Sequence, residues 1–254
     1  MHAQRMAGLT GCCCFIYLHY FGRSILSMAV IAPATFRFLR SLHKNNNREW
    51  FTRNRAAYEQ ALENMIDFSG DLLQMMQVHD KLEPMSAKQS LFRIYRDTRF
   101  STDKTPYKSY WAGHFKRVKP HLRGGYYYQV GPGHTMLAAG FFSPSSPDLL
   151  RIRQDIDYNF KDWQRILSQK KFKQVFGPLK GSCVQTVPRG FDRNHPALDL
   201  LRHKQFYAEH RFTDEEALQP GFSKKLNEAF KAVRPWFDYM SEVLTTDANG
   251  ISLV

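Results

Sequence analysis

Three guanidinium groups, Arg93, Arg96 and Arg99, stand within seven residues around Asp97, and Asp103, Lys104, Tyr107 and Lys108 follow within the next nine. Cations gathered around carboxylates suit recognition of phosphate or carboxylate, because the planar guanidinium fork meets two anionic oxygens at once. Arg93, Arg96, Arg99, Lys104, Tyr107 and Lys108 are therefore the candidate anion-binding residues, and Asp97 and Asp103 the candidate catalytic carboxylates. With Arg93 and Arg99 on either side, Asp97 should stay ionised, since neighbouring cations favour the charged form. It is then a poor general acid, suited to orienting the arginines or to joining Asp103 around a hard cation such as magnesium beside a bound phosphate. Lys104 and Lys108 bracket Pro106, in a turn where a lysine can clamp an anionic oxygen as a point charge. The same residues also admit a structural reading. Arg-Asp-Arg networks can do no more than set sheet register, and Asp103 can simply cap its own turn.

Asp192, His195 and Asp199 form a second group across a loop-to-helix boundary, with His195 a third catalytic candidate as acid or base. The competing role is a carboxylate capping a helix start. No His-Glu-x-x-His spacing occurs, no serine or cysteine sits in a nucleophile elbow, and neither Gly124-Gly125 nor Gly131-Pro132-Gly133 has the arrangement of a phosphate loop. The residues leave open whether the chain is an enzyme. If it is, hydrolysis or phosphoryl chemistry would suit the cations.

The elements that must position these groups follow from periodicity. Leu91 to Phe100 reads as a strand with Arg93, Tyr95, Asp97 and Arg99 on one face and Phe92, Ile94, Arg96, Thr98 and Phe100 on the other. Before it, Pro33 to His43 has helical spacing, Asn47 is an N-cap, and Arg48 to Met76 reads as one long helix. After it come strands at Tyr110–Lys116, Gly125–Val130 and Thr135–Phe142, the last two forming a hairpin. The small residues Ala138, Ala139 and Gly140 imply close approach of a helix or a ligand. Ser146 is expected to cap the first of two helices that end at Gly177, and Gly177 to Asn194 reads as loop. A short helix from Ala197 to His203, a strand from Gln205 to Phe212, a capping box from Thr213 to Glu216, and a helix from Phe222 to Leu244, bent at Pro235, complete the chain. The connections are too short for crossover helices, so the sheet should be antiparallel. The expected fold is a single α+β domain over residues 28–254, an antiparallel sheet packed against several helices, with long N- and C-terminal helices. Residues 1–27 hold Cys12, Cys13 and Cys14 and no acidic residue; they read as an extension outside that domain, either an upstream artefact of gene prediction or disordered.

The formal net charge of +13 favours acidic partners. Its excess is concentrated between Arg93 and Arg123, where Lys116, Arg117, Lys119 and Arg123 add to the first cluster. An anionic small molecule is the expected partner. Two other readings compete: a nucleic-acid-binding module, which requires those four residues to extend the cluster across an open surface, and a non-catalytic protein in which the Arg/Asp cluster is a buried network. Alternation places Tyr126 and Tyr128 on one face and Tyr127 on the other, so at least one of them belongs to the core. No stretch has the apolar length of a membrane span, and Cys183 alone cannot build a disulfide framework, which implies a reduced cytoplasm. Oligomeric state is not legible.

The pattern Arg93-x-x-Arg96-Asp97-x-Arg99-Phe100-x-x-Asp103-Lys104-x-x-Tyr107 resembles the defining motif of a widespread, mainly bacterial and also fungal family of unknown function. Asn45 to Phe51, Arg153 to Tyr158, and the stretch from Pro188 through His195 and Asp199 resemble the same family, so the likeness spans nearly everything after Met28. It implies no catalytic roles.

Overall fold

Helix α1, Pro33–Lys44, begins without a side-chain cap of its own, and the orphan donors at its start are met from elsewhere in the chain. In this computed structural model, which describes residues 28–247 and 249–254, that partner is Asn64. Its Oδ1 accepts from the Ala32 amide and the Thr35 hydroxyl, and its Nδ2 donates to the Val30 carbonyl, all at 2.8 Å. The expected extension of residues 1–27 lies outside the described residues.

Asn47 caps the next helix as expected, its side chain accepting from the Trp50 amide. The single helix expected from Arg48 is in fact two, α2 at Arg48–Arg53 and α3 at Arg55–Gln77. Asn54 makes the break. Its side chain donates to the Trp50 carbonyl at 2.8 Å, the local competition with helical bonding that short amide side chains offer. A short helix α4, Ala87–Ser90, then leads into the motif segment.

Strands β1 Trp111–Lys116, β2 Gly125–Val130 and β3 Met136–Phe141 are followed by helices α5 Ser146–Leu167, α6 Lys170–Phe176 and α7 Leu198–Leu201, strand β4 Phe206–Arg211, and helices α8 Asp214–Ala217 and α9 Phe222–Thr245. The sheet is antiparallel throughout in the order β1-β2-β3-β4. The cap of α5 is Ser145 rather than Ser146, and at Asn159, with φ −118° and ψ 30°, the element kinks, so that two helical stretches meet there between Ile156 and Trp163. The capping box at Thr213 and Glu216 is present in both directions.

One face of the sheet carries the core. Tyr128 packs edge-on against Phe68 of α3, Tyr126 against Phe230 of α9, and Phe141 against Trp236 of α9. The small residue Gly140 is explained by the sheet itself, since a Cβ there would come within 2.3 Å of the Phe206 carbonyl oxygen on β4. Both sheet edges are covered by irregular segments. The Phe92 amide donates to the Ala112 carbonyl beside β1, and Lys180 exchanges two backbone hydrogen bonds with Tyr207 on β4. Such covering denies other chains a free ladder. Among the described residues no helix is long and apolar enough to cross a membrane.

Candidate functional site

The motif segment is not the expected strand. Leu91 makes an isolated bridge to Gly113, after which the chain doubles back on itself: Tyr95 bridges Tyr107, the Arg96 amide donates to the Pro106 carbonyl, and the Lys108 amide donates to the Ile94 carbonyl. In place of one strand beside β1, the motif builds a short two-stranded ladder of its own, closed by a braced loop. Alternation survives from Arg93 to Arg99, with Ile94 buried between exposed neighbours, but fails at the ends, where Phe92 is partly exposed and Phe100 is 96% exposed.

The charges pair within the loop. Asp97 does not sit between Arg93 and Arg99 but takes the Arg99 fork alone, Nε to Oδ1 at 3.0 Å and Nη2 to Oδ2 at 2.7 Å. The hydrogen bond from the Arg99 side chain, then that from its amide, hold the Asp97 carboxyl below its ordinary value. Arg96 donates through one nitrogen to Asp103 and to the Thr105 hydroxyl, while the Thr105 amide donates to the other Asp103 oxygen at 2.9 Å. Lys104 donates to the Thr98 carbonyl and Lys108 to the Arg93 carbonyl. Asp97 and Asp103 thus face different guanidinium groups, and no group of three or more metal-ligating side chains occurs among the described residues.

Arg96, led by its hydrogen bond and aided by the Thr105 amide, lowers the Asp103 carboxyl to about 2 from an ordinary 3.8. A carboxyl depressed on folding contributes stability that is present above pH 3.8 and is lost as pH falls through about 2. The Asp103 carboxyl resonance should therefore titrate near pH 2 by NMR, and Arg96→Ala should move that midpoint back toward 3.8. A midpoint unmoved by the substitution would remove Arg96 as the cause.

The ladder is anchored through Tyr107. Asn46, just beyond α1, accepts from the Tyr107 amide and donates to its carbonyl, and the buried Tyr107 ring stacks on Phe51 with centroids 4.0 Å apart. Between α1 and the ladder lies a cavity of about 340 Å³, whose lining includes His43, Asn46, Arg96, Asp103, Tyr107 and Lys108. Partial burial lowers the affinity of Lys108 for its proton. Its ammonium has no carboxylate partner among the described residues and rests over the Phe92 ring at 5.7 Å. Arg93 is exposed on the ladder's rim, with no carboxylate partner for its side chain among the described residues.

The second group does not assemble. The His195 ring accepts from the Ala197 amide at Nδ1, which leaves Nε2 to donate toward Asp157 at its carbonyl and carboxylate oxygens, 3.3 and 3.6 Å away. Asp192 accepts from the Asn194 amide and Asp199 is fully exposed beside Arg202. His195 is a clasp between this loop and α5. Asp155 likewise accepts from Trp163 and Tyr239, and Arg153 donates to the Leu201 and His203 carbonyls.

Sequence reasoning missed the largest charged cluster. Arg117, which only the nucleic-acid reading required on an open surface, is fully buried, with Nε 3.0 Å from Asp80 and further bonds to Asp238, the Ser241 hydroxyl and the Arg123 carbonyl. Tyr126 donates its hydroxyl to Asp80, and burial, with the Asp80 charge, pushes the phenol far up. Arg234 lies 3.2 Å from Asp80, and Arg123 pairs with Asp148 at 2.6 Å. A buried Arg/Asp network exists, but not in the motif. The signal available was Asp80 closing a long helix, 37 residues from its main partner.

A model of conserved hypothetical proteins, DUF2461, matches residues 34–239 of the chain. No curated protein and no solved structure matches it.

Proposed function

The chain belongs to the DUF2461 family of conserved hypothetical proteins, and we propose that it binds a phosphate- or carboxylate-bearing small molecule in the cleft between α1 and the motif ladder. The observation that carries this reading is Lys108, a residue lining a cavity that also takes in Arg96 and His43, whose partly buried ammonium has no carboxylate partner among the described residues. A cation partly shielded from water without a counter-charge gains when an anion arrives, which is why such a group supports recognition. Arg96, held in place by Asp103 and Thr105, offers a fixed guanidinium edge, and Asn46 holds the ladder against α1. Arg93 and Lys104 add positive potential from the rim. The reading is one of binding rather than turnover: Asp103 is engaged with Arg96, Asp97 with Arg99, and His195 is tied to Asp157 elsewhere. A cytoplasmic setting belongs to the same proposal, supported by Cys183, a lone exposed thiol among the described residues.

The nucleic-acid alternative required Lys116, Arg117, Lys119 and Arg123 on one open surface. Burial of Arg117 and pairing of Arg123 break that surface.

Calorimetric titration with inorganic phosphate and with citrate tests the proposal. Saturable binding is expected, weakened tenfold or more in Lys108→Met, a change that keeps the aliphatic stem over Phe92. Equal affinity in the variant, or no response to either anion, would remove the cleft as the site.

A further inference from the structure

The outward face of the sheet carries a second arrangement that the anion cleft does not use. Cross-strand register places Tyr127, Ala138 and Glu209 in one row over β2, β3 and β4. Strand spacing sets Tyr127 and Glu209 about 10 Å apart across the small Ala138. Above that floor is a cavity of about 370 Å³ lined by these three residues with Met136, Phe142 and Tyr207 among others. Phe142 and Tyr207 form one wall, their ring centroids 5.4 Å apart. Tyr127 directs its hydroxyl to Gln129 at 3.0 Å, which leaves the ring as its contribution to the cavity.

The acid supplies the polar feature. The Glu209 side chain is only 11% exposed, and its Oε1 receives both Lys180 at 3.3 Å and Arg211 at 3.0 Å. Its Oε2 has no hydrogen-bond partner among the described residues. Two cations on one carboxylate disfavour a cationic guest, so the open oxygen suits a neutral N–H donor. Aromatic walls suit a flat π system.

We propose that this slot binds a planar aromatic heterocycle with an N–H donor at its edge, the chemistry of a nucleobase. The ring lies against Tyr127, Phe142 and Tyr207, and the donor meets Glu209 Oε2. Ala138 matters because any larger side chain there occupies the floor.

Guanosine, adenosine, cytidine and uridine titrated into the full chain, with binding followed by saturation-transfer NMR and calorimetry, provide the test. Saturable binding of at least one nucleoside is expected, lost in Ala138→Leu and weakened tenfold or more in Glu209→Gln. Tyr207→Leu, on the exposed wall, serves as a second probe should the Ala138 variant fail to fold, and it too should weaken binding tenfold. Lys108→Met should leave nucleoside affinity unchanged, which separates failure of this slot from failure of the anion cleft. Absence of nucleoside binding at millimolar concentration, affinity retained in both Glu209→Gln and Tyr207→Leu, or a response to oligonucleotides without one to free nucleosides would each overturn the proposal.

Discussion

Arg117→Ala is expected to lower the unfolding free energy by about 3–5 kcal/mol, the cost of removing one partner from a buried ion pair. The reason is what the substitution leaves behind. Asp80 has no solvent exposure in its side chain, and without Arg117 its charge is met only by Arg234 at the edge of the site, the Tyr126 hydroxyl and the Lys81 amide. The Ser241 hydroxyl and the Arg123 carbonyl lose a donor at the same time. Urea denaturation should show a lower midpoint with an unchanged slope, the mark of lost stability rather than a changed unfolding transition. Combining Asp80→Asn with Arg117→Met should recover much of the loss, because charge and counter-charge then leave together and the methionine refills the space. A single variant as stable as the parent would show that Arg117 is hydrated in solution.

Phe51→Ala should cost about 3–5 kcal/mol, the range for emptying a buried aromatic site. Phe51 meets four rings, those of Phe38, Tyr58, Tyr95 and Tyr107, and its stack on Tyr107 is the closest of these contacts at 4.0 Å. Since Tyr107 belongs to the ladder that bears Lys108, the vacancy should loosen the anion cleft as well as the core. Phosphate affinity is therefore expected to fall together with the unfolding midpoint. Phe51→Leu, which keeps most of the volume, should lose less of both. If Phe51→Ala lost stability while phosphate binding stayed intact, the ladder would be held by Asn46 rather than by the aromatic stack.

Much of the scaffold was legible because it obeys short-range rules. The strand Gly125–Val130 appears with the bounds that its alternation implies, with Tyr126 and Tyr128 inward and Tyr127 outward. Asn47 and Thr213 cap the helices that follow them, since a capping side chain needs only the amide three residues on. The α2–α3 break at Asn54 was missed because Phe51 and Tyr58 stand seven residues apart, a spacing that one uninterrupted helix would also give, and periodicity does not register one side chain competing for a carbonyl.

The candidate site divides in the same way. Residue types alone identified a cation-rich segment, and its charges do lie together in one loop. Which carboxylate meets which guanidinium was not legible: a long flexible side chain reaches whatever folding brings near. Asp97 therefore turned to the arginine two residues on, and Asp103 to Arg96 across the loop.

The amino-acid sequence by itself determined the type of most elements outside the motif segment, the antiparallel sheet, the family resemblance and the segment in which cations gather, since each of these rests on spacing between neighbours. The tertiary structure alone decided that Arg117 belongs to the core and Lys108 to a cleft, because burial and charge pairing depend on residues far away in the chain, such as the 37 positions between Asp80 and Arg117.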